Sequence, residues 1–171
     1  MTFDTSKNLI RSAAIIGIII SVIVLIDKTI NLIFVAGSNR VFLMLFLVLG
    51  FALYIWVLVN SISLIKAINK PLNNYSENDY VRIPRLISTT AILYLVTAAI
   101  ILTGFLMSFG LAYEAGRTFF LLLNVLMVIA LVIAGILAIA GRNIYDDEIS
   151  RQHLKRAKKK IQIAVIRLYI L

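Results

Sequence analysis

Four stretches of this chain carry no charged side chain: 12–26, 41–65, 86–113 and 118–141. The last three are 25, 28 and 24 residues long. As helices rising 1.5 Å per residue, each reaches across the ~30 Å hydrocarbon core of a bilayer. The first run stops at Asp27 and Lys28, then turns apolar again from Thr29 to Gly37. Four spans are therefore expected, at about 9–35, 41–65, 86–113 and 118–141, in an all-α integral membrane protein built as a four-transmembrane-helix bundle. Composition agrees: 61% of residues are hydrophobic, 15% are charged, and mean hydropathy is +1.00. A soluble domain is nearer half apolar and a quarter charged. With 171 residues, the four spans leave no room for a separate soluble domain of ordinary size.

A secretory leader is a competing reading of the start: Lys7 and Arg11, an apolar stretch, then Val35-Ala36-Gly37 as a small-residue cleavage site. The apolar part runs too far past Asp27 to suit it, so a first span is preferred.

The connections set an orientation. Of 17 Lys and Arg residues, all but Lys28, Arg40 and Arg117 fall in 1–11, in 66–85 or after 141. Cations concentrate on the cytoplasmic side of membrane proteins. Both termini and the central loop are expected there, in a protein integral to the cell (plasma) membrane. Pro84 is expected in the first turn of the third helix, where its missing N–H costs nothing. Trp56 and the tyrosines near the span ends read as interfacial anchors.

The halves resemble each other. Leu9-Ile10-Arg11-Ser12-Ala13-Ala14-Ile15 recurs in character at Leu86-Ile87-Ser88-Thr89-Thr90-Ala91-Ile92, and Ala36-Gly37 at Ala115-Gly116. Two tandem hairpins in parallel orientation would produce this, as would a shared apolar composition.

Lipid is as apolar as leucine, so spans associate through small residues and interhelical hydrogen bonds. Ala13, Gly17 and Ser21 recur every fourth residue of the first span, and Lys28 and Asn31 continue the stripe. Thr90, Thr97, Gly104 and Ser108 align in the third, with Tyr94 beside them. Ala130, Ala134 and Ala138 align in the fourth, with Asn124 and Gly135 adjacent; the second offers Gly50, Tyr54 and Ser61. Asn60 and Asn124 are expected to link helices. A charge on such a stripe is expensive and marks either a function or a partner. For Lys28 the candidate partners are Glu114 at the second outside turn and Asp27 of a neighbouring subunit. The plainer alternative is that Lys28 snorkels to the headgroups along its long stem.

After Gly141 come Arg142, the acids Asp146, Asp147 and Glu148, and then Lys155, Arg156, Lys158, Lys159 and Lys160. The residues 142–171 are expected to form a cytoplasmic basic amphipathic helix. Its acids would sit at the start, favourable to the macrodipole, and Leu154, Ala157, Ile161, Ala164 and Leu168 would share one face. The five clustered cations suit contact with anionic lipid headgroups or with a protein partner. The apolar stretch 161–171 is expected to be covered by membrane, partner or bundle.

Enzyme chemistry finds little purchase. There is no cysteine, a single histidine (His153) and no Gly-rich phosphate loop. No cofactor, metal or nucleic-acid partner is indicated. The expected role is a non-catalytic accessory, scaffolding or regulatory membrane subunit, joined to a protein partner or to its own copies through small-residue faces. The competing expectation is a small oligomeric transporter or pore, holin-like pores included, that uses Lys28 and Asp27.

Overall fold

The computed structural model describes residues 3–35, 41–71, 74–109 and 115–170, and no strand occurs among them. Four helices follow in order: α1 (Phe3–Val35), α2 (Val41–Asn69), α3 (Glu77–Phe109) and α4 (Ala115–Ile170). Each contains a stretch long and apolar enough to cross a membrane. The turn expected at 37–40 lies outside the described residues, as does Glu114 of the turn expected at 114–117, whose other three residues instead begin α4.

Helix α3 begins earlier than its apolar run, for a local reason. The carboxylate of Asp79 accepts the backbone N–H of Ser76 at 2.7 Å and the Ser76 hydroxyl at 2.8 Å. Asp79 N–H donates to the Ser76 carbonyl at 3.0 Å. This is a Ser-x-x-acid cap, with Glu77 and Asp79 also favouring the positive end of the helix. Pro84 consequently lies inside α3 and not in its first turn. It interrupts the backbone ladder there. Just beyond it, Ser88, Thr89 and Thr90 donate their hydroxyls to the carbonyls of Pro84, Arg85 and Leu86.

Helix α4 also differs from expectation. It is one helix of 56 residues, about 84 Å long, with no break at Gly141. Asp146, Asp147 and Glu148 therefore sit in mid-helix, and the macrodipole argument for them does not apply.

Each helix packs chiefly on two neighbours, α1 on α2 and α4 and α3 on α2 and α4, the α2–α3 contact being the slightest of these four. Arg11 near the start of α1 donates to Asn69 at the end of α2. Ser6 donates to the Gly141 carbonyl at 2.7 Å. Sequential helices therefore run antiparallel, and the starts of α1 and α3 share one end with the end of α2 and the middle of α4. We call this the basal end.

Small residues make the close approaches. A Cβ on Gly17 would fall 2.3 Å from the Tyr94 hydroxyl, and one on Gly141 would fall 2.5 Å from Ile10 Cγ1. Ala13, Ala14, Ser21, Ala91, Ala134 and Ala138 are buried, whereas Ile19, Ile26, Leu49, Ile92, Leu126 and Ile136 are more than half exposed. Small residues at the close helix contacts and large aliphatic ones over the outer surface is an arrangement that suits helices solvated by lipid.

Candidate functional site

Lys28 is half-buried on the side of α1 that faces α2, its Cε 3.8 Å from where a Cβ on Gly50 would stand. Asp27 is also half-buried, within electrostatic reach of Tyr54 on α2. The stripe that Lys28 continues is real: Ala13, Gly17 and Ser21 are all buried. Glu114, offered as a partner for Lys28, lies outside the described residues, as does the side chain of Asn31. Asn60 does not bridge helices. Its amide donates to the Trp56 carbonyl of its own helix at 2.9 Å, because a carboxamide one turn along reaches that carbonyl without crossing a gap. Asn124 is half-buried on α4.

The polar link between helices is made by other residues. Ser61 spends its one proton on the Val57 carbonyl at 2.7 Å, so Tyr94 is the donor in the 2.6 Å contact between their hydroxyls. Tyr94 lies against Gly17, which joins α1, α2 and α3 at one buried point. One turn along α1, the Ser21 hydroxyl is buried with no hydrogen-bond partner.

The basal end carries a second cluster that sequence reasoning missed. Tyr75, in the α2–α3 connection, and Tyr145 of α4 share a buried hydroxyl–hydroxyl hydrogen bond. Phe3 stacks on Tyr145 with ring centroids 5.3 Å apart, and Tyr80 meets Tyr75 edge-on at 5.8 Å. Lys7 lies over the Phe3 ring and Lys70 over the Tyr75 ring. Lys70 also pairs with Asp79 at 2.5 Å. That ion pair and the Ser76 donors hold the Asp79 carboxyl down at about 2, while burial pushes the Tyr75 hydroxyl above its ordinary value. Tyr75 and Tyr145 are thus core residues and not interfacial anchors, Tyr54 and Tyr94 are buried on the inner faces expected of them, and Trp56 is exposed in the middle of α2. A helical wheel around Tyr145 would have given the signal. Tyr145 continues the stripe of Ala134, Ala138 and Gly141, all of them buried.

Beside this cluster, the first turns of α3 and the stretch of α4 just past Gly141 border an open cavity of about 570 Å³. Arg85, Arg142 and Asp146 line it, with Tyr80, Pro84 and Ile92 among the walls. Arg142 Nε donates to Asp146 Oδ2 at 3.2 Å, and Asp146 Oδ1 is buried with no hydrogen-bond partner.

Beyond Ile149, the last buried side chain described on α4, the helix runs on uncovered. Leu154, Ile161 and Ile163 are 59%, 64% and 46% exposed, and Lys155, Lys158 and Lys159 are exposed beside them. The side chains of Arg156, Lys160 and 164–171 lie outside the described residues. Comparison with protein-family models, curated proteins and solved structures finds no match for this chain.

Proposed function

We propose that this is an integral membrane protein, a four-span helical bundle with both termini and the central loop on the cytoplasmic side. It acts as a non-catalytic accessory or scaffolding subunit whose α4 extension docks a protein partner. One observation carries this: α4 continues roughly 30 Å past Ile149 with apolar side chains uncovered among cations. Exposed Leu154 and Ile161 are spaced as on one face of an amphipathic helix, the form in which helix-binding partners read anchors. The inward faces are filled by Ile, Leu, Val, Ala, Ser, Thr and Tyr side chains, which favours a packed subunit over an open conduit.

The test is site-specific photocrosslinking in cells. A photoreactive residue at Ile161 should give one discrete adduct, and one at outward-facing Leu126 should give none of that mass. Identical adduct patterns at the two positions would refute docking. The second reading, an oligomeric carrier or pore, is supported by half-buried Asp27 and Lys28 at the α1–α2 contact. Liposomes holding the pure protein should show no solute or ion flux; flux that disappears in Lys28→Met would replace the accessory reading with this one.

A further inference from the structure

We infer that the cavity between α3 and α4 binds an anionic glycerophospholipid, with its phosphate on Arg85 and Arg142. The inference rests on the membrane placement proposed above. Arg85 immediately precedes the uncharged run 86–113 and Arg142 immediately follows the run 118–141. Their antiparallel helices bring the two residues to the same cavity. Both guanidiniums therefore stand at the edge of the apolar belt, the level at which lipid phosphates lie. Arginine's planar fork of donors matches phosphate oxygens in pairs. Basic recesses between spans on the cytoplasmic side are the physical form of a headgroup site.

The other lining groups narrow the chemistry. Ser88 and Thr89 direct their hydroxyl protons to backbone carbonyls, and the cationic donors in the lining are the two arginines. Asp146 uses Oδ2 for Arg142. Two guanidiniums against one carboxylate leave a single positive charge, which a phosphodiester's single negative charge balances. Phosphatidylglycerol meets that requirement; phosphatidylcholine carries no net charge. Pro84 and Ile92 supply apolar wall, and Ile92, 61% exposed, starts an outward track along α3 for the acyl chain.

A phosphate ester could also arrive as a soluble glycerol phosphate, so the experiment separates the two sources. Full-length protein in neutral detergent is titrated with phosphatidylglycerol or phosphatidylcholine, and bound lipid is counted by native mass spectrometry. Phosphatidylglycerol should bind about tenfold tighter or more, the worth of a single charge-assisted hydrogen bond. Arg85→Gln should lower that preference and Arg85→Gln with Arg142→Gln should abolish it. Arg82→Gln, an exposed cation on the same helix but off the cavity lining, should leave it intact. Equal binding of the two lipids, or equal loss in Arg82→Gln, would overturn the site. Displacement by excess glycerol phosphate would overturn the lipid in favour of a soluble ester. Protein that never enters micelles would refute the membrane reading instead, whereas protein that enters them without lipid preference refutes only the site.

Discussion

The two halves of α4 share one unbroken backbone and behave in opposite ways. Up to Ile149 the helix presents Leu131, Ala134, Ala138 and Tyr145 to its neighbours, all fully buried. From Arg151 the described side chains are exposed all round. Local propensity decides where a helix continues, and lysine, arginine, glutamine and leucine are good helix formers. Burial is decided by something else: whether a surface of matching shape lies opposite. Residues 131–149 have one in α1, α3 and the Tyr75 connection; the described side chains of 151–163 have none among the described residues.

The largest effect that would break this comparison is at Tyr145. Tyr145→Ala removes a fully buried ring together with its Phe3 and Tyr75 contacts. It should cost about 3–5 kcal/mol, in line with large-to-small core changes. Unfolding by SDS in mixed micelles measures it; a loss below about 1 kcal/mol would mean the basal aromatic cluster is not packed as described. Gly17→Leu comes next. Its side chain would collide with Tyr94 and Ser61, and overpacking of this kind costs about 1–3 kcal/mol. A wild-type midpoint in that variant would separate α1 from α3.

A smaller effect belongs to Lys70 and Asp79. The folded state holds the Asp79 carboxyl at about 2, below its ordinary 3.8. A depressed carboxyl stabilises the fold above its unfolded value, and that contribution is lost as pH falls through the folded one. Stability should therefore decline between about pH 4 and pH 2, and Lys70→Met should flatten part of the decline. Identical pH profiles for the two proteins would remove the ion pair from consideration. Smallest of all is deletion of 151–171, which should change unfolding midpoints by no more than about 0.5 kcal/mol, as for residues without packing partners. A larger loss would mean that the extension is covered by the chain itself.

Much of the architecture was legible from residue type alone. Uncharged runs announced four helices, and the Ala13–Gly17–Ser21 spacing marked a face that is indeed buried. Other features needed topology. The tyrosine pair at 75 and 145 is separated by 70 residues, so no local pattern joins them. Tyrosine also suits both an interface and a core, depending only on whether its hydroxyl finds a partner. Pro84 lies deeper than expected because α3 starts inside the stretch assigned to the central loop, at a Ser76-x-x-Asp79 cap whose spacing is in plain view. The expected break at Arg142 failed because charge ends an apolar run without ending a helix. Asn60 shows the limit for amides: a carbonyl of its own helix lies within reach at 2.9 Å, and that local bond was made.

Topology mapping with single cysteines tests the central proposal most directly, because the chain has no cysteine of its own. Ser38→Cys should react with a membrane-impermeant maleimide on intact cells, and Lys159→Cys only after the cells are opened. Labelling of both from the same side, or recovery of the chain in the soluble fraction without detergent, would contradict it.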